Sequence, residues 1–78
     1  GMNTKTIIAQ QNTSNVERLR SHAEITARYN LDCQQYNELR KTDNGNDQEH
    51  LLMLYTEIKV LGWILGKNDQ TVVRDTNA

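Results

Sequence analysis

The stretch from Leu51 to Leu65 constrains the fold of this chain more than any other, because eleven of its fifteen residues are apolar. On an α-helix, which turns about 100° per residue, these side chains divide into two groups on different sides. The first group contains Leu51, Leu54, Tyr55, Ile58, Leu61 and Leu65, with Gly62 among them. The second group contains Leu52, Met53, Val60, Trp63 and Ile64. The pattern therefore predicts a helix that needs packing partners on two sides.

Turn-forming and capping residues mark both ends of this helix. Residues 42–47 form a dense cluster of turn formers, in which Asn44-Gly45 suits positive backbone angles. Asn-Gly is also a strong hairpin signal between strands, but the helical period of the flanks favours a helix-to-helix loop. Asp47 suits an N-cap, and Gly66 suits a left-handed C-terminal residue. We therefore predict the second helix over residues 47–66.

A first helix is predicted before this loop. Ser14 and Glu17 fit a capping box, so the helix is expected to run from Asn15 to about residue 42. Its apolar stripe recurs at intervals of three and four and consists of Leu19, His22, Ile25, Tyr29, Cys33, Tyr36 and Leu39. A kink is possible near residues 30–32, because Leu31 falls among polar residues there.

The opposite side of the first helix carries charges of alternating sign at intervals of four. These residues are Arg20, Glu24, Arg28 and Asp32. Such pairs stabilise an exposed helix by about 0.2–0.5 kcal/mol each. We expect this whole side to face water.

Polar segments flank the helical region. Residues 1–13 are predicted to be a flexible N-terminal arm, in which Ile7 and Ile8 would be the anchors if the arm orders on binding. Residues 67–78 are polar around one valine pair and are predicted to be a flexible C-terminal tail. The hairpin domain is accordingly expected to span residues 14–66.

These elements predict an all-α fold, an antiparallel two-helix hairpin that self-associates into a four-helix-bundle-like dimer. The predicted intrachain core is Leu19, Ile25, Tyr29, Leu51, Leu54, Ile58, Leu61 and Leu65. A lone hairpin has no element left to cover the second apolar group, and each such side chain forgoes about 1.5–3 kcal/mol by staying exposed. The predicted oligomer interface is therefore Leu52, Met53, Val60, Trp63 and Ile64. Gly62 costs about 1 kcal/mol of helix propensity, which favours a close approach of another backbone at that position.

Composition excludes several classes of protein. A single cysteine excludes an internal disulfide framework. Nine basic and ten acidic residues give a net charge of -1, too small to attract nucleic acid or an anionic membrane strongly. No run reaches the roughly 18–20 apolar residues of a membrane span, and no secretory signal pattern is present. We expect a soluble, cytoplasmic protein with no membrane partner.

The residue types that carry chemistry form no recognisable site. His22 lies on the apolar stripe, where a core or interface histidine is favoured over a ligand. His50 follows Asp47 by three residues, a spacing that can bind a metal, but Asp47 is better used as a cap. Cys33 is about 16 Å along the helix from His22, so a buried structural thiol is favoured over a nucleophile. We expect no catalytic residue, no metal, no cofactor and no enzymatic activity.

The favoured function is therefore a small non-catalytic module for protein–protein interaction or oligomerisation. We expect it to bind itself, as a homodimer first and a tetramer next, and an unidentified protein partner stays open. The alternative is a nucleic-acid-associated regulatory or accessory protein. Tyr29 and Tyr36 lie a heptad apart with Arg28 and Arg40 nearby, which suits base stacking beside phosphate contacts. The same spacing is what a packed helical stripe requires.

Overall fold

The computed structural model describes residues 17–78, and all of the regular secondary structure in them is helical. The described residues form three helices, α1 (His22–Thr42), α2 (Gln48–Ile64) and α3 (Asp69–Asp75). The predicted all-α class is confirmed, although only two helices were expected. The N-terminal arm predicted at residues 1–13, with Ile7 and Ile8, lies outside the described residues.

The two long helices pack against each other in opposite directions. Tyr29, early in α1, lies against Gly62 near the end of α2. Tyr36, one heptad later in α1, stacks on Tyr55 with ring centroids 5.5 Å apart. The contact therefore moves back along α2 as it advances along α1, which is the predicted hairpin. A dimeric four-helix arrangement stays a prediction.

A capping box at Ser21 and Glu24 sets the start of α1. The Ser21 hydroxyl accepts from the Glu24 amide at 3.1 Å, and the Glu24 carboxylate accepts from the Ser21 amide at 3.0 Å. Arg18 donates to both Glu24 oxygens, and this pairing holds the pKa of Glu24 well below its usual range. The predicted start at Asn15 is wrong, because residues 17–21 are not helical; Ser14 and Asn15 themselves lie outside the described residues.

This later start removes Leu19 from the core. Leu19 is 94% exposed, since it precedes the helix and cannot share the α1 stripe. His22 is the first helical residue and is also exposed, so it does not lie in the core of the described chain. Farther along, α1 continues without interruption through residues 30–32, where a kink was possible.

Asp43, not Asp47, organises the loop between α1 and α2. One Asp43 oxygen accepts from the amides of Gly45 and Asp47, both at 3.0 Å, and the other accepts from the Gln48 side chain at 3.0 Å. Asp47 occupies the predicted N-cap position, but its side chain makes no capping hydrogen bond. Gly45 has the predicted positive φ, at +102°. The turn and the N-cap position were predicted correctly, but the Asp47 side chain does not cap α2, and Asp43 instead holds the loop.

Gly66 ends α2 in the left-handed conformation predicted for it, with φ at +73°. The amide of Lys67 donates to the Gly62 carbonyl at 2.9 Å, and the amide of Gly66 donates to the Trp63 carbonyl at 3.0 Å. These two bonds form a Schellman motif, which satisfies carbonyls at the helix end and reverses the chain.

The reversal at Gly66 directs the next segment back onto the hairpin as α3. Asn68 caps this helix by accepting from the Thr71 amide at 2.8 Å, and Val72 is buried. Within the tail predicted at residues 67–78, Asp69–Asp75 therefore form a packed third helix. A β-carbon at Gly62 would lie 3.1 Å from a Val72 methyl group, so the glycine admits α3 of the same chain rather than the backbone of a partner.

The core lies where the three helices meet. Tyr29, Cys33, Leu54, Ile58 and Val72 are its buried apolar residues. Tyr29, Leu54 and Ile58 were predicted there. The other predicted core residues of the two long helices, Ile25, Leu51, Leu61 and Leu65, are half-buried. Burial raises the pKa of the Cys33 thiol, in agreement with a structural role for this cysteine.

Tyr29 connects all three helices. Its hydroxyl donates to a carboxylate oxygen of Asp75 at 2.7 Å, and the Lys67 ammonium lies 4.8 Å from the centre of its ring. Burial, followed by this hydrogen bond, raises the pKa of Tyr29 well above its ordinary value, so the phenol stays protonated as a donor. Asn37 adds a second link from α1, donating to the backbone carbonyl of Asp75 at 2.9 Å.

Candidate interaction surface

One side of α2 presents five large apolar side chains to solvent. We call this surface the α2 face, and its members are Leu52, Met53, Val60, Trp63 and Ile64. Their exposed fractions run from 50% at Ile64 to 81% at Trp63. These are the residues predicted for the oligomer interface, and no other element within residues 17–78 covers them. Their participation in an interface stays a prediction.

The uninterrupted helical geometry of α2 places these residues together. Val60, Trp63 and Ile64 lie on neighbouring turns, because intervals of three and four residues relate them. Met53 lies seven residues, or about two turns, before Val60, and the exposed Thr56 lies between them. The α2 face therefore extends over about three turns, with Thr56 within it.

Charged groups border the α2 face on both edges. On one edge the Lys59 ammonium lies 5.9 Å from the centre of the Tyr55 ring. On the other edge Glu57 accepts a hydrogen bond from the Arg28 guanidinium of α1. An apolar centre inside a polar rim is the usual anatomy of a protein interface.

The third helix extends this surface without covering it. Val73 is 53% exposed, and a cavity of about 190 Å³ opens between α2 and α3 with Trp63, Val72 and Val73 in its lining. Lys59 and Lys67 also line the cavity. Helix α3 packs on the hairpin through Val72, which contacts Tyr29 and Gly62. It therefore adds to the core, and Trp63 stays exposed to solvent.

The residues considered for nucleic-acid binding are only partly accessible. Tyr29 is 1% exposed, and the Arg28 guanidinium is paired with Glu57 and with Asp32. Tyr36 is half-buried against Tyr55, with the Arg40 guanidinium 6.0 Å from the centre of its ring. Tyr29 and Tyr36 thus act mainly as packing residues, which weakens the stacking argument for nucleic acid.

The residues considered for metal or nucleophilic chemistry are dispersed. His22 and His50 are exposed and Cys33 is buried. Within residues 17–78 no three histidine, cysteine or acidic side chains come together as metal ligands. In the same part of the chain, none of the helices has the length and apolarity needed to cross a bilayer.

Comparison with known proteins adds no assignment. No protein-family model matches the chain, and no significant match occurs among curated proteins or solved structures. The functional argument therefore depends on the α2 face and its surroundings.

Proposed function

We propose that this protein is a non-catalytic self-association module in which the α2 face binds the same face of a second copy. The product would be a homodimer with four long helices, the α2 helices at its centre. The observation that carries the proposal is the exposure of five large apolar side chains on one side of a single helix.

The size of the uncovered surface supports this proposal. Full burial of one such side chain is worth about 1.5–3 kcal/mol, and a chain of 78 residues has a small net stability. Single exposed leucines or valines are common on monomers, but contiguous apolar patches usually mark an interaction site. The α2 face combines Trp63, a residue type enriched in binding hot spots, with four aliphatic neighbours.

A second copy is the occupant favoured by the charges. In a dimer with a two-fold axis, the same surface of each copy forms the interface, so the apolar α2 face of one copy can pack on the α2 face of the other. The chain carries a net charge of only -1, so two copies repel each other little. Both features suit a homodimer better than a strongly charged partner.

The single tryptophan gives a direct test, since its fluorescence reports on Trp63 alone. We expect the emission of the wild-type chain to lie at short wavelength at high protein concentration and to move to longer wavelength on dilution. Val60→Asp, which places a charge on the α2 face, should give the long-wavelength emission at every concentration. Emission typical of a water-exposed indole at all wild-type concentrations would contradict the proposal. Short-wavelength emission at every concentration, in both the wild type and Val60→Asp, would also contradict the proposal.

A further inference from the structure

Asp32 is a carboxyl group enclosed between α1 and α2. It is 3% exposed, so the water-facing position predicted for it is wrong. One of its oxygens lies 3.5 Å from the Arg28 guanidinium, whereas the other, Oδ2, is buried without a hydrogen-bond partner. A buried carboxylate oxygen with no donor is costly, and this calls for an explanation.

Glu57 supplies a second carboxyl group at the same place. The Arg28 Nε atom that lies 3.5 Å from Asp32 also donates to Glu57, so the two carboxyl groups meet at one guanidinium nitrogen. Two ionised carboxylates only accept hydrogen bonds, so a bond between them requires a proton on one. Asp32 is the more enclosed, with 4% of its side chain exposed against 40% for Glu57, so the proton belongs on Asp32.

The charges lead to the same conclusion. The Arg28 guanidinium and the ionised carboxylates of Asp32 and Glu57 have a summed charge of -1, and one added proton makes this cluster neutral. We propose that Asp32 and Glu57 share a single proton across the α1–α2 contact, and that withdrawal of this proton weakens the hairpin. Both carboxyl groups belong to one chain, so this proposal does not depend on self-association.

Other titratable groups surround this pair. His50 of α2 lines the same cavity of about 230 Å³, with Arg28, Asp32 and Glu57. Cys33 follows Asp32 on α1 and is buried. On α3, Asp75 is bonded to Tyr29 and paired with Lys67 at 3.8 Å. Of these groups, His50 is the one that lines the same cavity as the pair.

The direction of the pH effect follows from the two carboxyl groups. Burial, followed by the bond to Glu57, raises the pKa of Asp32 to about 6, while the bonds from Asp32 and Arg28 lower the pKa of Glu57. Between the ordinary pKa of an aspartate, about 4, and this raised pKa the folded chain then holds a proton that the unfolded chain has released. Stability is therefore present below the raised pKa and is lost as pH rises through it.

Urea unfolding of the full chain at one protein concentration tests whether stability falls as pH rises. Between pH 5 and pH 8 we expect the folding equilibrium constant of the wild type to fall about tenfold. Asp32→Asn provides a permanent N–H donor toward Glu57. Between pH 5 and pH 8 the folding equilibrium constant of this variant should therefore change by less than about twofold. At pH 8 the variant should be more stable than the wild type.

Two controls separate the carboxyl pair from the histidine. His50→Gln should retain the wild-type fall in stability, because it leaves the shared proton in place. Carbon-detected NMR titration of the wild-type side chains should show Asp32 with a midpoint near 6 and Glu57 with a midpoint below its ordinary value. An Asp32 midpoint near 4, or an Asp32→Asn variant with the same pH dependence as the wild type, would overturn the proposal.

Discussion

Trp63→Asp is expected to sediment as a monomer at concentrations where the wild type is dimeric. Trp63 is 81% exposed in the single chain, so its replacement removes little that one chain needs for folding. At the centre of a dimer interface the same change replaces a hot-spot side chain by an enclosed charge. We expect dimer affinity to fall at least about 30-fold, as measured by sedimentation equilibrium.

The thermal behaviour of this variant follows by mass action. A partner that binds only the folded chain raises its melting temperature, and loss of the partner removes that increment. Trp63→Asp should therefore melt at the temperature that the wild type approaches on dilution. Leu31→Asp is the matched control, since Leu31 is 48% exposed on α1, away from the α2 face. If Trp63→Asp sedimented with the wild-type mass, the α2 face would not be the interface.

Tyr29→Ala is expected to cause the largest loss of stability in the chain. The Tyr29 ring packs between α1, α2 and α3, and its hydroxyl holds Asp75. Truncation of a buried aromatic side chain costs about 3–5 kcal/mol, which is comparable with the whole stability of a domain this small. We predict that the variant is largely unfolded at 25 °C, as judged by far-ultraviolet circular dichroism and urea titration.

Two further variants divide this effect into its parts. Tyr29→Phe keeps the ring and removes only the hydroxyl, so we expect a smaller loss of about 1.5–3 kcal/mol, the usual range for a hydrogen bond to a charged group. Tyr36→Ala removes the half-buried tyrosine one heptad along α1 and should also cost less than Tyr29→Ala. Equal urea midpoints for Tyr29→Ala and Tyr36→Ala would show that Tyr29 is not the link between the three helices.

The sequence predicted α2 and its exposed face well because both depend on local periodicity. Fifteen residues with two separate apolar groups admit few arrangements other than a helix, and Gly66 supplied a clear end signal. The face itself is the group of α2 residues that no other element of the described chain, residues 17–78, covers. Position on a helix was enough to find it.

The third helix could not be found in the same way, because its burial depends on distant residues. It is seven residues long, and only Val72 among them is buried. Val72 packs where Gly62 leaves out a side chain, and Asp75 is held by Tyr29. The available signals were Gly66 followed by Asn68 as a cap, and Gly62 as an otherwise costly residue within α2.

The predicted start of α1 and the predicted exposure of Asp32 were wrong because each depended on a local pattern that fits more than one structure. Ser14-Glu17 and Ser21-Glu24 match the same capping box, and Arg18 reinforces the second. Asp32 fits an exposed series of alternating charges, yet it is buried between α1 and α2, beside Arg28. The spacing of residue types alone specifies neither result: a neighbouring arginine favours the second capping box, and a tertiary contact buries Asp32.

Sedimentation equilibrium of the wild-type chain over a range of micromolar concentrations tests the central claim most directly. Self-association through the α2 face predicts an average mass that rises from 9.0 kDa toward twice that value as concentration increases. A mass of 9.0 kDa at every concentration, with a cooperative melt, would contradict it.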